Sequence, residues 1–159
     1  MVAEDVTCDD APARAGAQRV LVVDDDVAIR HALRLLLEDE GLVVAEAADG
    51  RAALAILRAA SDRSVVLLDQ MMPQLDGFGV LSAIAKDARL RSRHSFVLMT
   101  ACPRTLPLAL VRLASSLAIP IIAKPFEADE MIATVTERVR RLAAADSVGW
   151  QLEELAHAV

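Results

Sequence analysis

The run Val65-Val66-Leu67-Leu68 does most to limit what this chain can fold into. Four consecutive apolar residues, two of them β-branched, read as a strand with no face left for water. The run stops at Asp69, and Pro73 close behind it forbids further regular pairing. A strand buried on both faces belongs to a parallel sheet covered by helices. In open sheets of that kind ligands bind beyond the C-terminal ends of the strands, so a carboxylate at such an end, Asp69, is the first candidate for a working residue.

The rest of the chain repeats the same alternation. Arg19–Val23 is a second apolar strand, ended by Asp24-Asp25-Asp26, and Ile29, Leu33, Leu36 and Leu37 then recur at helical spacing until Gly41. A strand at 42–45 precedes the turn Asp49-Gly50 and a helix with Ala53, Leu54 and Leu57 on one face. Asp76-Gly77-Phe78 opens a third helix carrying Val80, Leu81 and Ile84, and the basic residues Lys86, Arg89, Arg91 and Arg93, in or after its end, read as a solvated loop and a complement to the helix C-terminus. A strand at 95–100 is followed by a helix that Pro103 and Pro107 delay to about 106–117, with Leu110, Leu113 and Leu117 as its apolar positions. The last strand, 119–123, leads through Lys124-Pro125-Phe126 to a helix with Met131, Val135, Val139 and Leu142 on one face. Five strands alternating with five helices predict an α/β fold, a doubly wound five-stranded parallel sheet with right-handed crossovers.

The predicted organisation is a disordered leader over 1–18, one domain over 19–144, and a short tail or amphipathic helix over 145–159 containing Trp150, Leu152, Leu155 and Val159. The net charge of −6 resides in the two ends, −3 in each, so the domain between them is formally neutral. That balance, with only 3% aromatic residues to stack on bases, argues against direct nucleic-acid binding. No apolar run reaches the length of a membrane span and no secretory signal pattern opens the chain, so a cytoplasmic location with no membrane partner is expected. Cys8 and Cys102 read as free thiols.

In a parallel sheet every strand points its C-terminal end the same way, which gathers Asp24, Asp25, Asp69, Thr100 and Lys124 on one edge. Each has a bland reading alone: Asp24-Asp25-Asp26 as a helix cap, Asp69 as a turn former, Thr100 as a strand residue, Lys124 as a surface lysine. Together, three crowded carboxylates call for protonation or a cation, and an oxygen-only donor set suits Mg²⁺. Asp69 could then act as a nucleophile toward a phosphoryl group, with Lys124 on a phosphoryl oxygen and Thr100 as a hydroxyl donor.

At these residues the chain resembles the receiver domain of two-component response regulators, of the stand-alone chemotaxis-regulator type. The matching stretches are Val23-Asp24-Asp25, Leu68-Asp69 with Met72-Pro73 and Asp76-Gly77, Met99-Thr100-Ala101, and Lys124-Pro125-Phe126, spread over residues 19 to 143. The resemblance implies the flavodoxin-like strand order 2-1-3-4-5 and five flanking helices. It implies Asp69 as phosphoacceptor, Asp24, Asp25, Asp69 and the backbone carbonyl of Met71 as Mg²⁺ ligands, Thr100 as switch hydroxyl, Lys124 as phosphoryl contact, and a cis Lys124-Pro125 peptide.

On that resemblance the chain is a single-domain response regulator. It accepts a phosphoryl group from a sensor histidine kinase or histidine phosphotransfer protein and signals to a downstream protein or passes the phosphate on, with a homodimer left open. It is not an enzyme beyond its own Mg²⁺-dependent phosphotransfer and autodephosphorylation. Two departures stand out. Ile121 occupies the switch position where the family usually has an aromatic ring, and Leu117-Ala118 replaces a common Gly-Ala pair, so that loop is expected to avoid the left-handed conformation and the fourth helix to be atypical. Ile121 supports the alternative of a constitutive receiver-like interaction module. A phosphatase built on a similar sheet is a third reading, but its second acid is missing because that position is Met71.

Overall fold

Successive side chains on a strand point to opposite faces of a sheet, so an unbroken apolar run needs two cores to enter. The computed structural model, which describes the backbone of residues 18–156 and the side chains of residues 18–145, contains both. The strands β1 (Arg19–Val23), β2 (Val43–Ala47), β3 (Ser64–Asp69), β4 (His94–Thr100) and β5 (Ile121–Ala123) form one parallel sheet in the order β2-β1-β3-β4-β5. Among the described residues six α-helices follow the strands: α1 (Val27–Asp39), α2 (Gly50–Ala59), α3 (Gly77–Lys86), α4 (Ala88–Arg93), α5 (Leu108–Ser116) and α6 (Ala128–Ala156).

Along β3, Val65 and Leu67 enter a core with Leu33 and Leu37 of α1 and Met131, Val135 and Val139 of α6. Val66 and Leu68 enter the other, with Leu54 and Leu57 of α2, Leu81 and Ile84 of α3, and Leu110 of α5. All six residues of β3 are buried, as a central strand between two helical layers requires. The edge strands differ: β2 alternates exposed and half-buried residues, and β5 is three residues long.

Four helices open on an aspartate. Asp26, Asp49 and Asp76 each accept a hydrogen bond of 2.8 Å from a backbone N–H in the first turn of α1, α2 and α3, and Asp87 accepts from Arg89 and Leu90 in α4. Each such cap contributes about 1 kcal/mol to its helix.

The structure corrects the sequence reading in two places. Among the described residues there are six α-helices where five were expected, because the basic stretch after α3 holds a further helix: Asp87 caps it and Leu90 buries itself in the core, giving the six-residue α4, with Arg91 and Arg93 in its last turn. One buried residue in so short a helix leaves no periodicity to detect. Of the stretch 145–159, predicted as a short tail or amphipathic helix, residues 145–156 are helical and continuous with α6. The leader over 1–17 and the side chains of Trp150, Leu152, Leu155 and Val159 lie outside the described residues.

The second correction concerns the loop before β5. It was expected to avoid a left-handed residue, yet Ala118 takes φ +53°. It does so to complete the end of α5, where the Ala118 N–H reaches the Ser115 carbonyl and the Ile119 N–H reaches the Ala114 carbonyl at 2.9 Å. The same pair of bonds closes α1, with Gly41 at φ +79° in the left-handed position. Arg138 of α6 holds the Ala118 carbonyl at 2.9 Å, so tertiary structure keeps the strained residue in place. Ala118→Gly is therefore expected to raise unfolding stability by about 1 kcal/mol, because a Cβ in the left-handed region costs about that much. A urea midpoint that fails to rise at constant m-value would contradict this account.

Candidate functional site

The C-terminal ends of β1, β3 and β5 carry the groups that meet. Parallel register sets Val23 beside Leu68 and Thr100 beside Ala123, so Asp24 follows β1 next to Asp69, and Lys124 leaves β5 within reach of both. The Lys124 ammonium donates to Asp24 Oδ2 at 2.5 Å and to Asp69 Oδ1 at 2.9 Å. Asp24 and Asp69 are 1% and 5% exposed, whereas Asp25 is open to solvent.

The run Asp24-Asp25-Asp26 divides its labour. Asp24 is buried against Lys124, and its Oδ1 accepts from the Asp26 N–H at 2.9 Å. Asp25 completes a group in which carboxylate oxygens of Asp24, Asp25 and Asp69 all lie within 4.8 Å of one another. Asp26 is the helix cap, so the bland reading of the run holds for one residue of the three.

Burial pushes the Asp69 carboxyl above the usual carboxylate range; the Lys124 hydrogen bond pulls it down, and the charges of Asp24 and Asp25 raise it again. Burial alone would lower the Lys124 ammonium, but its hydrogen bonds and charge interactions with Asp24 and Asp69 outweigh that, and its value lies above that of a free lysine. Three carboxylates against one ammonium leave two negative charges unbalanced. The donor set suits a small divalent cation: all oxygen, and nearly as closely spaced as opposite corners of an octahedral shell of Mg²⁺ ligands, about 4 Å apart. The side chain of Met71 is 70% exposed in the loop after β3, leaving it no part in the core. The Lys124-Pro125 peptide is cis, as expected.

Thr100 is fully buried at the end of β4, and its hydroxyl is engaged away from Asp69. It donates to Gln70 Oε1 at 2.5 Å and accepts from the Cys102 N–H at 3.1 Å. Ile121 is half-buried and packs on the core shared by α2, α3 and α5. Cys102 is an exposed free thiol, and Cys8 lies outside the described residues.

Sequence reasoning passed over two residues. Arg30 of α1 donates to the Asp24 carbonyl at 2.7 Å and pairs with Glu46 of β2 at 3.5 Å, fixing the β1 end from behind. Gln70 was the other. A polar residue directly after a strand-end carboxylate was the available signal, but its partner on β4 became visible only with the register.

Asp69 must also approach α3 closely. A Cβ built on Gly77 would lie 2.7 Å from the Asp69 carbonyl oxygen, so the start of α3 packs on the backbone of the site with no room for a side chain.

The model of the response regulator receiver domain matches residues 20–136. The DNA-binding response regulator MtrA of Mycolicibacterium paratuberculosis is 36% identical over 124 residues, covering 78% of this chain and 52% of that protein. The chain thus spans about half the length of the curated relatives it matches. Among solved structures, a CheY-like response regulator receiver domain protein of Methanospirillum hungatei is similar with a TM-score of 0.67 at 28% identity, over 82% of this chain and 98% of that one. The receiver domain of the Francisella response regulator 1452 is similar with a TM-score of 0.68 at 28% identity, over 78% and 98%.

A carboxyl whose folded pKa is raised contributes stability below its unfolded value of 3.8 and loses that contribution as pH rises through the folded value. Ionised Asp69 therefore weighs against the fold at neutral pH when no cation is bound. Without divalent cation, Asp69→Asn is expected to raise the thermal midpoint at pH 7 by a few degrees, and the gain should disappear in acid. Added Mg²⁺ should raise the wild-type midpoint and do so much less in Asp25→Asn. A midpoint indifferent to both changes would show that the acidic cluster is not under strain.

Proposed function

Because the chain belongs to the response regulator receiver domain family, we propose that it is a phosphorylation-controlled signalling module with Asp69 as the phosphoacceptor. The observation that carries this is the Asp69 carboxylate itself, buried at the end of the central strand, hydrogen-bonded to Lys124 at 2.9 Å and grouped with Asp24 and Asp25.

An Asp69 oxygen attacks the phosphorus of a phosphohistidine on a sensor histidine kinase or histidine phosphotransfer protein. The new O–P bond forms as the P–N bond breaks, and the imidazole leaves with the electron pair and takes up a proton. Lys124, already placed by Asp24, turns from the Asp69 carboxylate to the oxygens of the transferred group. Asp24, Asp25, Asp69 and the Met71 backbone carbonyl would hold Mg²⁺, which supplies charge neutralisation at those oxygens. The protein does little covalent chemistry beyond this transfer and the later hydrolysis, so its action is that of a switch and not of an enzyme with its own substrate.

The phosphorylated form acts by binding a protein or by passing the phosphate on. The formally neutral charge of residues 19–144 supports a protein target over a nucleic acid within that stretch. DNA binding is a property named for MtrA, of which this chain matches about half. No helix among the described residues is long and apolar enough to cross a membrane, in keeping with a cytoplasmic location.

One observation favours a second reading, a constitutive interaction module: Ile121 is half-buried on the core and has no ring to swing between two positions. The two readings separate on incubation with Mg²⁺ and acetyl phosphate, followed by intact mass and Trp150 fluorescence. Wild type is expected to gain one phosphoryl adduct, and Asp69→Ala none. An adduct in both proteins would remove Asp69 from the role, and no adduct in either would leave the constitutive module.

A further inference from the structure

A hydroxyl has one proton and can donate one good hydrogen bond at a time. In Thr100 that bond goes to Gln70 Oε1, at 2.5 Å, the short end of the range for O–H···O contacts, while the Cys102 N–H occupies a lone pair at 3.1 Å. The register makes this pairing. Asp69 lies opposite Met99, so Gln70, the first residue past β3, comes level with Thr100, the last residue of β4, and its N–H still bonds to the Met99 carbonyl as the ladder would continue. Alternation then puts both on the face of Leu68 and Leu98, not on the face of Asp69.

We propose that Gln70 is a positioning residue that holds the Thr100 hydroxyl in the unphosphorylated chain and must release it before Thr100 can donate to a phosphoryl oxygen on Asp69. This rests on the reading of Asp69 as phosphoacceptor. Donation to Gln70 and donation to a phosphoryl oxygen exclude each other, so the pair has two states and phosphorylation biases them. Only the side chain of Gln70 is free to respond. Its N–H is bonded to the Met99 carbonyl and its carbonyl to the Gly77 N–H, both at 2.9 Å, and a Cβ on Gly77 would come within 2.9 Å of its Cα. The carboxamide is half-buried, so its release changes the rim formed by Gln70 and Cys102. That gives the chain a state-dependent group without a ring at position 121.

The test is a double-mutant cycle of Gln70→Leu and Thr100→Ala, with Gln70→Met as a second variant of similar length, read in two ways. The first is the affinity of the Mg²⁺-loaded protein for beryllofluoride, which mimics the phosphoryl group on a carboxylate. Gln70→Leu is expected to tighten it by about 3- to 10-fold, the worth of one released hydrogen bond. It should have no effect in the Thr100→Ala background. The second needs no phosphoryl mimic: in the unliganded protein, Gln70→Leu should shift the Cys102 amide and redistribute the Thr100 χ1 rotamers by NMR. Unchanged affinity, a change that persists without the Thr100 hydroxyl, or an unperturbed Thr100 would each overturn the proposal. If wild type takes neither beryllofluoride nor an acetyl phosphate label, the reading of Asp69 fails, while the NMR comparison still decides whether Gln70 holds Thr100.

Discussion

One ammonium shared by two buried carboxylates joins parts of the chain that are 55 and 100 residues apart. Lys124 sits where it can reach Asp24 and Asp69 only because β5, β1 and β3 run parallel and end at one edge. Removing either partner of a buried pair leaves a charge without compensation, which is far costlier than the pair is stabilising. The contact is thus better understood as a poised charge balance than as a brace for the fold. It leaves an excess of two negative charges, which a divalent cation can balance.

The surroundings hold this imbalance in place with ordinary devices. Asp24 is pinned by the bonds it accepts from the Asp26 N–H and the Arg30 guanidinium and by the one its own N–H donates to the Ala47 carbonyl. Gly77 lets α3 rest on the backbone of Asp69 and Gln70, and the cap at Asp76 starts that helix at the right residue. The side chains that meet at the site are the Lys124 head group, the exposed Asp25, and those of Thr100 and Gln70. On the proposed reading of Asp69 as phosphoacceptor, the gain of a phosphoryl group would change a few of these side-chain bonds against the backbone frame that holds them.

The departures from the common receiver pattern have different structural weights. Ala118 in a left-handed conformation is a local cost absorbed by the α5 terminus and by Arg138, and it leaves the fold intact. Ile121 is half-buried against the core, an aliphatic side chain in place of a ring. The short α4 affects neither; it fills the gap between α3 and β4 with one buried leucine and a cap.

The sequence by itself determined the layered α/β architecture, five strands nearly in place, and the convergence of Asp24, Asp25, Asp69, Thr100 and Lys124. These follow from local rules: apolar runs of strand length, helical spacing, and the single direction of a parallel sheet. Each helix longer than two turns was legible because its buried face repeats. Tertiary structure alone decided α4, where one buried residue carries the whole signal, and the left-handed Ala118, which a distant arginine and a helix end hold against its own preference. It also decided the partners of the site. That Asp26 caps while Asp24 is buried, that Arg30 stands behind Asp24, and that the Thr100 proton belongs to Gln70 depend on register and side-chain direction. Those are set by the packing of the whole chain, and no window of neighbouring residues contains them.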